Sequence, residues 1–126
     1  MGCDIHAHIE FKEPHWKADD TWSRFAALRL DRWYALFGAM AGVRCADIEH
    51  IMPRGLPDDV SWHTQDAYKD DDGDAHSTSW LTRDEFAAAV DRAGKHPDPD
   101  VVATLAIMDA FTASGWPVRI VFWFDN

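Results

Sequence analysis

The chain is poor in the features that most often announce a function. Two cysteines, Cys3 and Cys45, in 126 residues make no disulfide framework, and the alternation around Cys3 places that thiol on an apolar strand face, which predicts reduced thiols. No apolar run of about 18 residues exists, and no charged segment leads into an apolar one at the N-terminus, so the expectation is a cytoplasmic protein without a membrane partner. Gly2 is no myristoylation signal, because His6 stands where Ser or Thr is required. Basic residues are scarce: 12 Lys and Arg against 22 Asp and Glu give a formal net charge of −10. That leaves little surface for following a phosphate backbone and argues against duplex nucleic acid as a partner. Only Lys95 and Arg119 of the basic residues follow Gly94, so a local anion pocket belongs in the first three quarters of the chain. No Gly-x-Ser-x-Gly or other nucleophile-base pair is visible.

What the chain does have is apolar bulk. It is 47% hydrophobic with seven Trp and seven Phe, which excludes a disordered protein. Its length suits a single domain, residues 1–126, burying roughly two thirds of its unfolded surface. The first eleven residues read as a β-strand with two chemistries: Cys3, Ile5, Ala7, Ile9 and Phe11 on one face, and Asp4, His6, His8 and Glu10 on the other. Alternate side chains on a strand stand about 7 Å apart, close enough for neighbours in that row to share an ion, an anion or a chain of hydrogen bonds.

Residues 12–25 hold Pro14, Trp16, Trp22 and the Asp19-Asp20 pair, which reads as a turn between short strands near Trp16 and Trp22. Trp33, Tyr34, Leu36, Phe37, Met40 and Ala41 then recur at helical spacing, with Asp31 as N-cap and Gly42 as stop. Residues 43–61 read as irregular. Pro53 and Pro57 stiffen the backbone around Arg54-Gly55, and a guanidinium held in such a loop can grip a carboxylate or phosphate. A short helix over 61–69, capped by Ser61 or Asp59, leads into Asp70-Asp71-Asp72-Gly73-Asp74. This run is not a calcium loop, because Gly73 at the sixth position puts Tyr68 at the first; it reads as a solvated turn. Residues 74–81 are polar and hydroxyl-rich and run into a capping box, Thr82 with Glu85, that opens a helix ending at Gly94. Asp98-Pro99 opens the last helix, with Val101, Leu105, Met108 and Phe111 as its buried stripe and Gly115 at its end. Residues 117–125 read as a strand, and antiparallel pairing with the first strand would bring Asp125 beside residues 2–4. The fold class is α+β: a small antiparallel sheet with the N- and C-terminal strands paired, packed against about three helices.

Several stretches also carry a resemblance: the opening Met-Gly-Cys-Asp-Ile-His, Arg32-x-Tyr34-x-Leu36-Phe37, the loop Pro-Arg-Gly-Leu-Pro-Asp-Asp-Val-Ser, Asp-Ala-His-Ser-x-Ser-Trp-Leu, and the closing Phe-Asp-Asn. Together they resemble a family of small bacteriophage and prophage proteins that begin Met-Gly-Cys-Asp-Ile-His. The resemblance implies a phage setting, the host bacterial cytoplasm, in which small proteins bind or destroy host molecules.

Three functional readings follow. The favoured one is a pocket for a small anionic or nucleotide-like ligand, bound without turnover: Arg32 and Arg54 hold anionic groups, His76, Ser77 and Ser79 offer hydrogen bonds, and Tyr34 or Trp80 stacks on a flat ring. In the phage setting such a pocket would sequester a host nucleotide-derived immune signal as an anti-defence sponge. His76, Ser77 and Ser79 read equally well as braces for the helix that follows. The alternative is a metal-dependent hydrolase or phosphoesterase. Asp4-x-His6-x-His8 is similar to the opening metal-binding strand of amidohydrolase and histidinol-phosphatase-like barrels, although those need about 250 residues. Imidazole with carboxylate suits Zn²⁺ or Mn²⁺, with Asp4, His6, His76 and Asp125 as candidate ligands and an open position for water; the same row can also form a hydrogen-bonded network without metal. The third reading is an acidic protein that inhibits or occupies a basic partner. Oligomeric state is left open.

Overall fold

The alternation of the opening strand becomes the organising principle of the sheet. The computed structural model describes residues 2–14, 21–94 and 97–126. Strand β1 spans Asp4–Phe11 and β2 Ser23–Leu28. Helices α1 (Tyr34–Ala41) and α2 (Trp62–Asp70) precede β3 (His76–Thr82), followed by α3 (Arg83–Ala93), α4 (Pro99–Ala113) and β4 (Val118–Asp125). The four strands form one antiparallel sheet in the order β2-β1-β4-β3. The first and last strands are its centre, paired without a break from Asp4 opposite Asp125 to Phe11 opposite Val118.

One face of this central pair is apolar. Ile5, Ala7 and Ile9 stand beside Phe124, Phe122 and Ile120 in the same buried cluster as Leu36, Phe37 and Met40 of α1, Phe86 and Val90 of α3, and Val101 and Met108 of α4. The other face carries His6, His8 and Glu10 opposite Trp123, Val121 and Arg119. It is covered too: the Tyr68 ring of α2 meets Trp123 edge-on at 5.1 Å, and the Ser61 amide at the head of α2 donates to Glu10. Strand β4, covered on both faces, is buried from Val118 to Phe124 and apolar there except for Arg119.

The sequence chemistry sets most boundaries. Ser61 caps α2 by accepting from the Thr64 amide, and Thr82 with Glu85 closes both halves of the capping box on α3. Pro99 starts α4, although Asp98 makes no side-chain cap. Helix α1 begins later than its sequence suggests, at Tyr34 with Trp33 in the N-cap position, and the Asp31 amide donates to Asp100 of the α4 segment. Gly42 ends α1 in the left-handed region at φ 74°, where a side chain would be strained. The described residues hold four helices where about three were expected. In the α4 stripe Val101 and Met108 are fully buried, whereas Leu105 and Phe111 pack at its margin. The expected hairpin takes a different form, since β1 itself pairs with β2 just beyond Trp22; the strand expected near Trp16 lies outside the described residues.

The polar stretch after the acidic turn is strand β3. It lies at the sheet edge, and its outer side is covered by the proline-flanked loop: the Gly55 amide donates to the Thr78 carbonyl at 2.8 Å, and the Arg54 amide to Ser79 Oγ at 2.9 Å. The loop thereby occupies the middle of that edge, which limits its use as a template for another chain.

Candidate functional site

Two features of the second sheet face follow from the β1–β4 register. At its outer end, His6 Nε2 lies 2.7 Å from Asp125 Oδ2 and His6 Nδ1 lies 3.6 Å from Asp71 Oδ2. Asp71 follows α2 in the acidic turn, and the Trp123 indole N–H fixes its carboxylate by donating to Oδ2 at 3.1 Å. The His6 ring also stacks on the Trp123 ring, with centroids 6.0 Å apart. His6, Asp71 and Asp125 each present one ligand atom within 4.8 Å of the others, and they form the one such group among the described residues.

Of the four expected metal ligands, His6 and Asp125 meet, while Asp4 and His76 lie outside this group. Asp4 is held by Arg32, with Nε donating to Oδ1 at 2.7 Å and Nη2 to Oδ2 at 3.2 Å, and this bonding lowers the Asp4 pKa below the usual carboxylate value. Gly2 makes that clamp compact, since a Cβ there would overlap the Arg32 guanidinium. His76 pairs with Phe124 and stacks on its ring. It therefore belongs to the apolar face, opposite to His6, and its ring nitrogens meet Ser77 Oγ and Asn126 Oδ1. Asp71 was not visible as a partner of His6 from sequence, because nothing distinguishes it from its acidic neighbours until α2 is laid across the sheet.

The row of four ionisable residues on β1 divides as it runs inward. His8 is buried against Trp123, its centroid 5.1 Å from that ring. Its Nδ1 is the buried side-chain atom without a hydrogen-bond partner among the described residues. Burial, helped by Arg24, pulls its pKa down to about 4 and keeps the ring neutral. Glu10 is completely buried. Arg119 donates to Glu10 Oε1 through Nε at 2.9 Å and Nη2 at 2.7 Å, and the Ser61 amide donates to Oε2 at 2.9 Å. The Arg119 guanidinium lies 3.9 Å from the Trp22 ring centroid and also donates to Asp59, which accepts the Trp22 indole N–H in turn.

Beyond this network opens a cleft of about 700 Å³ whose lining includes Lys12, Trp22, Arg54, Pro57, Trp80, Thr82 and Arg119. Arg54 grips Glu85 with two N–H groups at 2.8 and 2.6 Å, donates to the Trp80 carbonyl, and lays its guanidinium 4.3 Å from the Trp80 ring centroid. The Arg54 hydrogen bonds pull the Glu85 pKa down to about 2. The seven residues expected to bind a ligand thus separate into three places. Arg54 and Trp80 meet at the cleft wall, while Ser79, buried beneath it, accepts from the Arg54 amide and does not line the cleft. Arg32 and Tyr34 meet the N-terminal segment, where the Tyr34 hydroxyl accepts from the Cys3 amide. His76 and Ser77 sit at the start of β3, where Ser77 has φ 54° within a strand irregularity. Lys12, Trp22 and Arg119 of the cleft were missed, because their approach depends on strand register and on the 57–59 loop folding over the sheet. In comparisons with protein-family models, curated proteins and solved structures, nothing matches this chain.

Proposed function

We propose that this protein binds a small anionic ligand carrying a flat ring, of the nucleotide-derived class, in the cleft lined by Trp22 and Trp80, and returns it unchanged. The observation that carries this reading is the pairing of tryptophan with cation at two points of one cleft, Arg119 with Trp22 and Arg54 with Trp80. Its volume of about 700 Å³ falls in the range of small-molecule sites, about 300–1,000 Å³. Both guanidiniums are held in place by carboxylates, Arg54 by Glu85 and Arg119 by Glu10, so ligand binding need not freeze them. An anion entering the cleft shares them with these carboxylates and meets Asp58 and Asp59 on its wall. In the phage setting that the sequence resemblance implies, this is a sponge for a host nucleotide-derived immune signal.

Binding without turnover is favoured over hydrolysis by where the parts lie. His6 and Glu10 are four residues apart on β1, about 13 Å along the strand. Water activated at the His6 end is thus remote from a ligand lying beside Arg119. The test is to incubate the protein with cyclic and ADP-ribose-derived nucleotides, remove unbound ligand, denature, and identify what is released. Intact ligand, retained by the unmodified protein and lost with Trp80→Ala and Arg54→Ala while the fold persists, supports the reading. Released product, or retention indifferent to both substitutions, contradicts it.

A further inference from the structure

We infer that His6 and Asp71 hold a divalent transition-metal ion, with Asp125 orienting the imidazole from its far side. A carboxylate oxygen only accepts hydrogen bonds, so His6 Nε2, 2.7 Å from Asp125 Oδ2, must carry the donated proton. In the neutral ring this leaves Nδ1 with a lone pair, facing Asp71 Oδ2 at 3.6 Å. Two electron-rich atoms so placed call for a positive centre between them, and the choice is a second proton or a metal ion. The separation favours the ion. It is longer than an N–H···O hydrogen bond, about 2.7–3.2 Å, whereas nitrogen and oxygen donors at about 2.1 Å from a tetrahedral ion stand about 3.4 Å apart.

The surroundings fit the same assignment. A metal-bound histidine characteristically donates its other N–H to a carboxylate, and a ligating carboxylate is itself hydrogen-bonded. Asp125 fills the first role, and the Trp123 indole N–H on Asp71 Oδ2 the second. The His6 and Asp71 side chains are 35% and 31% exposed, which leaves room for waters to complete the coordination. Imidazole with carboxylate selects Zn²⁺, Mn²⁺ or Co²⁺ over Ca²⁺ or Mg²⁺. The site does not depend on the ligand cleft, and either can fail without the other.

The experiment uses tag-free protein stripped with a chelator and titrated with Zn²⁺, Mn²⁺ and Co²⁺ by calorimetry, with the Co²⁺ visible spectrum reporting the coordination geometry. One ion per chain is expected. Affinity falls at least tenfold in His6→Ala, His6→Gln and Asp71→Asn, falls about 10–100-fold in Asp125→Asn, and is unchanged in Asp74→Asn, which alters an exposed member of the same acidic run. Circular dichroism on each variant confirms that the fold persists, and the two His6 variants guard against loss of fold in either. Absence of binding overturns the assignment in favour of a His6 ring held by its two aspartate contacts alone. Binding that survives both His6 substitutions, or that weakens equally in Asp74→Asn, overturns it in favour of ions gathered by the acidic turn alone.

Discussion

Replacing Glu10 by Gln tests the reading of the polar sheet face most sharply. The Glu10 side chain is 0% exposed and that of Arg119 6%, so loss of the carboxylate's charge leaves a guanidinium buried without its main counter-ion. The amide cannot reproduce the hydrogen bonds either. Oε1 accepts twice from Arg119 and Oε2 accepts from the Ser61 amide, but Gln has one acceptor oxygen and one NH₂, so one of these donors must face another donor. Breaking one side of a buried ion pair costs about 3–5 kcal/mol. For 126 residues at about 2.1 cal/mol/K each, the unfolding entropy is about 0.26 kcal/mol/K, so a loss of about 4 kcal/mol lowers the melting temperature by about 15 °C. Differential scanning calorimetry and urea titration measure this. The double variant Glu10→Leu with Arg119→Met should recover part of the loss, since an apolar pair of similar volume removes both buried charges, although the Ser61 amide loses its acceptor. A fall below about 3 °C for Glu10→Gln, or a double variant worse than the sum of the two single ones, would refute the reasoning.

Two further outcomes follow from burial. Because His8 is neutral in the fold with a pKa near 4 and titrates near 6.5 when unfolded, the unfolded chain binds more protons below pH 6.5. Stability should therefore hold above that pH and decline by up to about 3 kcal/mol as pH falls to about 4; Glu85, pulled to about 2, adds a second decline below about pH 4.5. Urea midpoints across pH should show the first decline vanish in His8→Phe. Burial likewise pushes the Cys3 thiol up, while Cys45 is only partly covered. A thiol reagent should label Cys45 quickly and Cys3 only on unfolding, and mass spectrometry of peptides would expose equal rates if the packing is otherwise.

Where local chemistry determined structure, the chain was readable: the alternation of residues 4–11, the Thr82–Glu85 box, Pro99 opening a helix, and the apolar run that ends at Asp125 all became the elements they resemble. What stayed hidden depended on long-range placement. Strand β3 lacks an apolar alternation, and the 54–55 loop that covers its outer edge comes from more than twenty residues away. Asp71 acquires its place only when α2 crosses the sheet. Glu10 looked like one more member of an ionisable row, yet extending the expected nearness of Asp4 and Asp125 along an unbroken antiparallel pair sets it opposite Arg119. That signal was present in the sequence and needed only the register to be followed inward.

The pairing of β1 with β4 also constrains how the protein comes into being. The two central strands lie more than a hundred residues apart in the chain, so during synthesis Ile5, Ala7 and Ile9 have no strand partner on the β4 side until β4 itself has been made. Contacts of such long sequence separation slow folding and leave apolar edges open to aggregation meanwhile. The charged and polar residues interleaved with those apolar ones then serve as protection for a nascent strand as well as parts of a finished site. Truncation before Val118 would remove the central partner of β1 and leave β2 and β3 with no common sheet to join.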